Sequence, residues 1–466
     1  MRNINFIRLN IAVVAMVAML AGTILTGCND PFSQTPEEDT TMLWPAADST
    51  GYWGFINEKG EMVIPAKYDR TYGFSGGVAK VIIDEDDQPT KHYYSDDPVY
   101  YYGTKQAFIN KKGEVVYTLP DNTWCDSYFY YGCCRYWYHT SPYIDISSYG
   151  MYDAHFNSII SNDRPGLVLS VMTKDGLASS NIGYFNKKGE KVISRFTNGV
   201  DGELYFQLYD FCDGIAVVDK SWYDGPYNHN AFGAINTKGE VVIDTIYPYL
   251  QSVGNDRLLY KLKDSDWTYA GLMDTQGNII TEQNIYLGGE NFFGDGGLMP
   301  VRNNQGLYGY IDKNGIVQIP YQYAYADPFY GEYAWVWKST TMSIKSTEVD
   351  VNLYCIINLQ GEVVLSMDTW DKMPASLISS GVHNELCLVV DTENPRLNVY
   401  KYINLKGEVI YSWSKKTNRQ GYDAPERREQ TEADRDELML RMFEGTKYYP
   451  LAEQCVRSRR AHAERE

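Results

Sequence analysis

Three segments of this sequence concentrate the side chains that could bind a ligand. They read DEDDQPTKHYYSDDPVYYYG (84–103), WYHTSPYIDISSY (137–149) and SWYDGPYNHN (221–230). Exposed aromatic rings beside carboxylates and amides suit sugars or peptide chains, because the rings stack and the polar groups fix the orientation. The alternative is that these segments are solvated loops that pack on themselves. The candidate binding residues are Tyr93, Tyr94, Tyr100, Tyr101, Tyr102, Trp137, Tyr138, Tyr143, Trp222 and Tyr223.

Two short patterns could indicate a reactive site. GFSGG (73–77) matches the G-x-S-x-G pattern of hydrolases, in which the serine follows a strand and opens a helix. The same slot recurs as FCDGIA and FGDGGL, so Ser75 is predicted to lie in a turn without a catalytic role. The DEDD run (84–87) lacks the glycine turn and distal Glu of a calcium loop and is interpreted as a solvated charge run. The six histidines are scattered, so no catalytic residue, metal site or cofactor is predicted.

The charge balance restricts the partners. The chain has 466 residues, of which 60 are acidic and 42 are basic, and its formal net charge is −18. A folded surface this negative repels phosphate backbones, so nucleic acid is not an expected partner. Tyrosine is abundant, at 41 residues, which suits half-buried strands and adaptable binding surfaces.

The N-terminus has the features of an export signal. Two arginines precede an apolar run (11–25) that is short for a membrane span. The run ends in LTGC (25–28), which resembles a bacterial lipobox, and the resemblance implies that Cys28 is acylated and becomes the first mature residue. Asn29 follows, where an Asp would signal inner-membrane retention, so the resemblance favours the outer membrane. The alternative is a plain signal peptide with an incidental cysteine.

Seven further cysteines follow the lipobox. Export permits disulfides, but the odd number and wide scatter give no Cys-x-x-Cys pattern and no metal-ligand spacing. Most of these residues are expected to be small buried hydrophobes. The favoured bridge joins Cys125 to either Cys133 or Cys134, and the sequence leaves the choice between the two open.

Nine degraded copies of one pattern fill the middle of the chain, and the first reads YWGFINEKGEMVIPAKYD (52–69). Each copy has Asn or Asp three residues before an anchor residue. Asn or Asp at the first position of a type I turn caps its own backbone, and glycine three residues later accepts a positive φ. Each copy therefore predicts a β-hairpin with a bulged loop. The anchors are Gly60, Gly113, Phe156, Gly189, Gly239, Gly277, Gly315, Gly361 and Gly407.

A further strand precedes each hairpin, as in GVAKVII, GIAVVD and GLMPVRN, so each unit is predicted to have three strands. The hairpin opens with an aromatic residue in six copies, and the next position is small in seven. A small residue there lets a neighbouring backbone or ring approach closely. In the first copy, Ala46 stands eight residues before Gly54, as Val301 stands before Gly309 in the seventh.

This pattern resembles the WG (or KWG) repeat of bacterial proteins. The resemblance rests on YWGFINEKGEMVIPAKYD followed by FSGGVAKV, and it covers residues 43 to about 413. Only the first unit retains the full pair, Trp53 and Gly54, whereas Tyr, Phe or Ile replaces the Trp elsewhere. That family is defined by its repeat and not by an activity, so the resemblance implies a fold and no reaction.

The predicted fold is all-β, because one three-stranded unit cannot bury a core alone and nine units must stack. A radial arrangement gives a propeller-like ring, in which the region of Trp53 meets that of Tyr400. The alternative is an open β-solenoid with its first and last units far apart. The predicted divisions are a signal peptide (1–27), an acidic tether (28–41), a nine-unit β domain (42–413) and a charged C-terminal tail, helical or disordered (414–466).

These features predict an outer-membrane lipoprotein of the cell envelope that acts as a non-catalytic binding scaffold. The connector inside each unit varies from eight residues, between Ala46 and Gly54, to 26, between Val81 and Ala107. Insertions at one topological position project from one edge of the assembly. The expected partners are the membrane, through the lipid anchor, and a protein, peptidoglycan or glycan ligand. The alternative is an envelope enzyme, such as a glycoside hydrolase or lyase, with carboxylates on separate units.

Overall fold

The chain is all-β throughout the part that the structure, a computed structural model, describes, which confirms the predicted fold class. That part comprises 32 strands and one short 3-10 turn (Asp295–Gly297), and none of its helices is long or apolar enough to cross a membrane. The signal segment, Cys28 and the tether lie outside it. The described residues are 42–83, 105–121, 123–138, 149–161, 163, 166–194, 206–224, 227–262, 268–286, 291–344, 347–366, 386–394, 397–416 and 453.

The strands form eight antiparallel sheets, one of which has seven strands. The two halves of that sheet meet through a single residue pair, Tyr286 with Arg302, and we count them separately, so the described strands make nine units, numbered 1 to 9 in chain order. Unit 1 contains β1 (Trp44–Ala47), β2 (Trp53–Ile56) and β3 (Met62–Tyr68). Unit 2 contains β4 (Arg70–Thr71), β5 (Val78–Ile83), β6 (Lys105–Asn110) and β7 (Val115–Thr118). Unit 3 contains β8 (Thr123–Cys125), β9 (Cys133–Tyr138), β10 (Tyr149–Asp153) and β11 (Ser158–Ile160). Unit 4 contains β12 (Leu177–Ser180), β13 (Gly183–Asn186) and β14 (Lys191–Ser194).

The remaining five units follow the same plan. Unit 5 contains β15 (Phe206–Cys212), β16 (Ile215–Asp224), β17 (Tyr227–Asn236) and β18 (Val241–Tyr247). Unit 6 contains β19 (Tyr249–Gly254), β20 (Arg257–Lys261), β21 (Tyr269–Asp274) and β22 (Ile279–Tyr286). Unit 7 contains β23 (Met299–Arg302), β24 (Tyr308–Ile311) and β25 (Val317–Tyr323). Unit 8 contains β26 (Tyr325–Ala326), β27 (Tyr333–Ile344), β28 (Thr347–Asn358) and β29 (Val363–Ser366). Unit 9 contains β30 (Leu386–Asn394), β31 (Leu397–Asn404) and β32 (Val409–Lys416).

The prediction of three strands per unit is wrong for units 2, 3, 5, 6 and 8, which have four. The additional strand comes first in the chain and pairs with the strand that the sequence identified as the first. In units 2 and 8 it was missed because β4 and β26 have two residues each, too few to show an alternating pattern. In units 5 and 6 the additional strands have seven and six residues, and they were missed because they precede the pattern that repeats in the sequence. We therefore number the four strand positions of a unit first to fourth, and the second to fourth positions are filled in all nine units.

Every connection between the third and fourth strands closes on the predicted Asn or Asp turn. In unit 1 the backbone N–H of Gly60 donates to the carbonyl of Asn57 at 3.0 Å. The same bond measures 2.8 to 3.0 Å in all nine units. The anchor glycines have φ between +76° and +86°, and Phe156 has φ +62°. The predicted hairpins are confirmed.

The small residue that opens each hairpin allows a close approach, as predicted. Ala46 pairs directly with Gly54. A Cβ added at Gly54 would collide with the carbonyl oxygen of Ile64 in the fourth strand, and one added at Gly150 would collide with the ring of Tyr136 in the second strand. Glycine thus admits either a backbone or a ring.

The buried apolar side chains of the described residues form nine clusters. Each cluster joins two units that follow one another in the chain or, in one case, the last unit and the first, and the cluster between units 6 and 7 also includes Cys212 of unit 5. The core therefore lies between the sheets and not within any one of them. A single unit has no core of its own, which is the physical reason why the repeat must occur in a stack.

Each hairpin turn also packs against the fourth strand of the preceding unit. A Cβ added at Gly113 of unit 2 would lie 3.1 Å from Ile64 of unit 1, and the turn glycines of units 4 to 9 meet their predecessors in the same way. In unit 3, where the anchor is Phe156, the ring stacks on Tyr117 of unit 2 with the ring centroids 4.2 Å apart. An aromatic stack thus replaces the close backbone approach in that unit.

The hairpin turn of unit 1 packs against unit 9, as the turn of every other unit packs against the unit before it. Gly60 lies against the backbone of Ile410, and the Tyr402 hydroxyl donates to the carbonyl of Pro45 at 2.9 Å. Trp53 packs against the same apolar cluster as Tyr400, which is the juxtaposition that a ring requires. That cluster contains Trp44, Ala46, Ala47, Ile56, Leu386, Tyr402 and Trp413.

Candidate functional site at the two edges of the units

The strand order sends the connections of every unit to two opposite edges. In an antiparallel sheet the first-to-second and third-to-fourth connections leave from one edge, which we call the turn edge. The second-to-third connection leaves from the other, which we call the hairpin edge because long hairpins of the second and third strands extend there. The name does not refer to the Asn or Asp hairpins of the third and fourth strands. The nine Asn or Asp turns lie at the turn edge. The three aromatic segments each join a second strand to a third. The predicted binding residues that the structure places, Trp137 and Tyr138 on β9 and Trp222 and Tyr223 on β16, lie on second strands that run to the hairpin edge.

At the turn edge, each Asn or Asp side chain caps its own turn. Asn57 Oδ1 accepts the backbone N–H groups of Lys59 and Glu61, both at 3.0 Å, and Asn57 Nδ2 donates to Glu61 Oε2 at 2.7 Å. Six units contain this Asn-x-x-Gly-Glu turn, with the amide-to-carboxylate bond at 2.7 to 2.8 Å. The sequence analysis missed the glutamate, although it recurs four residues after the Asn in all six copies.

Two further units exchange the roles of the amide and the carboxylate. Asn278 Nδ2 donates to Asp274 Oδ2 at 2.8 Å, and Asn157 donates to Asp153 at 3.0 Å. Burial raises the pKa of Asp274, but hydrogen bonds from Asn278 and Gln276 outweigh it, so the pKa is lowered overall. In these turns the amide and the carboxylate are hydrogen-bonded to each other and stabilise the turn.

Carboxylates at the first-to-second connections link neighbouring units. Burial raises the pKa of Asp175, although the hydrogen bond from Gly214 and the charge of Lys174 act against it. Lys174 also forms an ion pair with Asp213. In each of three links a backbone N–H donates to a carboxylate of the preceding unit: Gly214 to Asp175 at 3.0 Å, Asp256 to Asp213 at 2.8 Å and Gly331 to Asp295 at 2.7 Å.

Ser75 lies in the first-to-second connection of unit 2, where it forms a β-bridge with Val78. This is the turn that the sequence predicted for it. Its Oγ donates to the carbonyl of Phe129 in unit 3 at 2.8 Å. The hydroxyl therefore joins two neighbouring units.

At the hairpin edge, the central strands of unit 8 extend beyond the rest of their sheet. β27 and β28 stay paired out to Ile344 and Thr347. The flanking strands β26 and β29 pair no further out than Trp337 and Cys355. The outer part is therefore a two-stranded ribbon in the part of the chain that the structure describes.

Unit 5 has a similar ribbon, and it corrects the interpretation of 221–230 as a loop. These residues belong to β16 and β17, apart from 225–226, which lie outside the described residues, and the strands pair out to Asp224 and Tyr227. Two candidate binding residues, Trp222 and Tyr223, thus lie on a strand. The segment was misread because its Gly and Pro suggested a loop, while the aromatic residues on either side favour a strand.

Trp137 is the one predicted binding residue whose side chain the structure describes. It is half-buried on β9, and its ring centroid lies 5.7 Å from that of Tyr149 on β10. Its Nε1 is buried and has no hydrogen-bond partner among the described residues. Tyr138 ends β9 and pairs with Thr123. The other candidates lie outside the described residues: Tyr93, Tyr94, Tyr100, Tyr101, Tyr102 and Tyr143.

Arg135, which the sequence analysis missed, lies beside this aromatic pair. Its Nε and Nη2 donate to the two carboxylate oxygens of Asp126 at 2.8 and 3.1 Å, and its Nη1 donates to the carbonyl of Leu169 at 3.1 Å. The guanidinium carbon lies 5.9 Å from the Tyr149 ring centroid. Oε1 of Glu453, from the C-terminal segment, lies 4.0 Å from Arg135 Nη2. The site therefore combines a planar cation with two rings in an edge-to-face arrangement.

The available signal for this site is a cation inside an apolar strand. Arg135 is the third residue of β9, and Lys80 is the third residue of β5. Lys80 is only 3% exposed, and its Nζ donates to the carbonyl of Cys125 at 2.7 Å.

No group of three or more His, Cys, Asp or Glu residues that could hold a metal ion occurs in the described ranges.

Three segments of the chain match a family model described as the WG containing repeat: 53–85, 232–264 and 308–338. Each match begins at the third strand of one unit and ends at or just beyond the second strand of the next. The sequence repeat is therefore offset from the sheet and spans the contact between two units. This offset explains why the unit looked three-stranded in the sequence.

No curated protein matches the sequence. Among solved structures, the chain is similar to a eukaryotic initiation factor at 10% identity and a TM-score of 0.49, over 80% of this chain and 96% of that one. An uncharacterized protein from Listeria monocytogenes matches at 11% identity and a TM-score of 0.30, over 84% and 99% of the chains. An acylaminoacyl peptidase from Pyrococcus horikoshii matches at 11% and 0.23, over 68% and 48%. None of these likenesses carries a functional argument.

Proposed function

We propose that this chain is an outer-membrane lipoprotein of the cell envelope whose nine WG-type units form a propeller-like ring and bind a ligand, without catalysis, at the hairpin edge. The proposed partners are the membrane, through an acylated Cys28, and a glycan, a peptidoglycan strand or a protein. Nucleic acid is not proposed, because the net charge is −18. The observation that carries the binding role is the ribbon of unit 8, which extends beyond its own sheet.

The ring is supported by the repetition of one contact. The turn glycine of a unit meets the fourth strand of the unit before it, and Gly60 of unit 1 meets Ile410 of unit 9 by the same rule. In an open stack, the exposed end units would need capping. Apolar cores between all nine successive pairs, including units 9 and 1, favour the ring over the solenoid.

The ribbon is not needed by the fold. Units 1 and 7 make the same connection with a short turn, in which Gly51 donates to Asp48 at 3.2 Å and Gly306 to Asn303 at 3.0 Å. A two-stranded ribbon without a third strand is only marginally stable in water, and its edges keep backbone groups available for a partner. A feature that extends paired backbone beyond its flanking strands is best explained by binding.

The anchor is supported by the sequence alone. The 13 residues from 29 to 41, when extended, reach about 45 Å, so the β domain could stand clear of a membrane that holds Cys28. Metabolic labelling with a palmitate analogue tests the anchor. We expect labelling of the wild-type chain and none of Cys28→Ser, and equal labelling of both would contradict acylation at this residue.

The binding role is tested by trimming the ribbon. Replacing residues 340–351 by Asn-Gly joins Ser339 to Asn352, which already pair, with a turn that suits a two-residue hairpin. Co-sedimentation with insoluble peptidoglycan sacculi should fall for this variant. The matched control changes the turn edge of the same unit, with Asn358→Asp and Glu362→Asn together, and should bind like wild type.

Two results would contradict the proposal. If wild type does not sediment with sacculi and forms no photo-crosslink to a protein through the ribbon, the hairpin edge has no envelope partner of the proposed kind. If purified chain degrades a cell-wall polysaccharide and one Asp or Glu substitution abolishes that turnover, the chain is an enzyme.

A further inference from the structure

Cys125 and Cys134 meet between the first and second strands of unit 3. Both are buried, with 2% and 1% of their surfaces exposed. Both are free thiols in the structure, and Cys134 Sγ lies 3.5 Å from the carbonyl of Asp126, the residue that follows Cys125. The two thiols therefore occupy one place in the core.

The structure also distinguishes the two partners that the sequence left open for Cys125. Cys134 shares the apolar cluster between units 2 and 3 with Cys125. Cys133, its neighbour on β9, belongs to the cluster between units 3 and 4. Successive residues of a strand face opposite sides, so only Cys134 is on the side of Cys125.

Lys80 of unit 2 holds a positive charge against this pair, with its Nζ 2.7 Å from the Cys125 carbonyl. Burial raises the pKa of the Cys125 thiol, but the contact with Cys134 and the charge of Lys80 outweigh burial and lower that pKa. Burial raises the pKa of Cys134 well above its usual range. Because Lys80 lies against Cys125, its charge favours the thiolate of Cys125, and the thiolate is the reactive form.

We propose that Cys125 and Cys134 form a disulfide across β8 and β9 when the chain meets a low-molecular-weight disulfide as oxidant. The Cys125 thiolate attacks one sulfur of that oxidant and displaces the other as a thiolate, which takes a proton. Cys134 then loses its proton, attacks the Cys125 sulfur and displaces the second half of the oxidant as a thiol. Two protein thiols are oxidised and one disulfide is reduced to two thiols.

The bridge would strengthen the least regular unit of the domain. β8 has three residues, and the hairpin anchor of unit 3 is Phe156 at φ +62° instead of a glycine, a conformation that strains a residue with a side chain. A covalent link between the first and second strands limits the freedom of the unfolded chain around this unit. The inference does not depend on the membrane anchor.

The full-length purified chain tests the proposal directly. It is unfolded, refolded in buffers of increasing oxidised over reduced glutathione, alkylated and digested without reduction. Chymotrypsin cleaves at the aromatic run between the two cysteines, so a bridge keeps two peptides joined. We expect the joined pair in oxidising buffer, lighter by two hydrogen atoms than the sum of its reduced peptides, with Cys133 alkylated. The thermal midpoint should be higher in oxidised than in reduced protein.

Matched variants separate the bridge from its alternatives. Cys134→Ser should remove the joined peptides, and Cys133→Ser should keep them. Lys80→Gln should slow alkylation of Cys125 several-fold at neutral pH, and Lys80→Arg should restore much of the rate. A bridge from Cys125 to Cys133, with Cys134 alkylated, would overturn the inference. The absence of joined peptides after the wild-type chain is refolded in oxidising buffer would overturn it as well. The wild-type result decides the matter even if a variant fails to fold.

Discussion

The two edges of the units obey different rules. At the turn edge all nine units make the same bond between an anchor residue and an Asn or Asp carbonyl, within 2.8 to 3.0 Å. At the hairpin edge the corresponding connections range from the short turn at Asp48–Gly51 to the ribbon of β27 and β28. The turn edge is constrained because each turn touches the preceding unit, whereas the ribbon extends past the last flanking strand.

The difference shows where a repeat protein tolerates sequence variation. A turn that packs on a neighbour has its backbone, its glycine and its capping pair fixed together. A connection that leaves the sheet on the other side can grow without disturbing a core. The predictions below measure that contrast, beginning with the largest effect.

Gly60→Ala should have the largest effect among the changes predicted here. Gly60 has φ +78°, and an added Cβ would collide with the carbonyl oxygen of Ile410 in unit 9. We expect a loss of about 3 kcal/mol in the free energy of unfolding, from the unfavourable left-handed backbone and the displaced contact together. Urea unfolding followed by tryptophan fluorescence measures it.

Gly214→Ala is the matched control for this substitution. Gly214 has φ +81°, but an added Cβ would meet nothing within 4 Å. It should lose only about 1 kcal/mol, the penalty of the backbone conformation by itself. Equal losses in the two variants would mean that units 1 and 9 do not touch in solution.

The amide and the carboxylate of a turn should be exchangeable only as a pair. Asn57→Asp alone sets a carboxylate against that of Glu61 and removes their bond, so it should lose about 1 kcal/mol of stability. Adding Glu61→Asn recreates the arrangement of Asp274 and Asn278 and should recover most of the loss. Denaturant titration of both variants gives the coupling energy, and a double variant no more stable than the single one would contradict the role of this pair.

The turn of unit 6 should make a small contribution that depends on pH. The pKa of Asp274 is lowered in the fold, so its stabilising effect is present above the unfolded value of about 3.9 and is lost as the pH falls through the folded value. Asp274→Asn should therefore be less stable than wild type at neutral pH, by about 0.5 kcal/mol. The difference should vanish in acid when thermal midpoints are compared across pH.

A substitution of the opposite kind controls for general acid effects. Asn110→Asp places a carboxylate against Glu114, which the native amide now contacts at 2.8 Å. Its deficit should shrink as the pH falls, because protonation of either acid relieves the repulsion. A pH-independent difference for Asp274→Asn would show that its charge is not stabilising.

Trimming the ribbon of unit 8 should have the smallest effect on stability. Replacing residues 340–351 by Asn-Gly leaves the pairs of β27 with β26 and of β28 with β29 in place. We expect the free energy of unfolding to change by less than about 0.5 kcal/mol, the usual range for surface changes. A large loss would mean that the ribbon is part of the fold, and the contrast between the two edges would disappear.

The sequence predicted well wherever a structural requirement is local. Asn57 and Gly60 lie in one turn, and their chemistry needs no knowledge of the rest of the chain. The need for a small residue at Gly54 was equally predictable from the sequence, because its pairing partner Ala46 is only eight residues away. The sequence failed where the signal is short or spread, as with the two-residue β4 and with Glu61, whose bond to Asn57 forms only in the folded turn.

The binding residues illustrate the same limit. Aromatic composition indicated Trp137 as a binding residue, and in the structure its ring lies against that of Tyr149, directly opposite it. Composition could not indicate Arg135, because its partner Asp126 lies in the connection before β9 and its partner Leu169 lies in the following unit. It also suggested a loop at Trp222, where the pairing of β16 with β17 makes a strand.

The sequence by itself determined the unit: an Asn or Asp, a glycine three residues later and a small residue opening the hairpin, each demanded by backbone geometry within a few residues. The tertiary structure alone decided what the units do to each other. It brought Gly60 to Ile410, placed Lys80 beside Cys125, and chose Cys134 over its neighbour on the same strand. The physical reason is that turns are fixed by neighbouring backbone atoms, whereas these contacts arise only when separate sheets share a core.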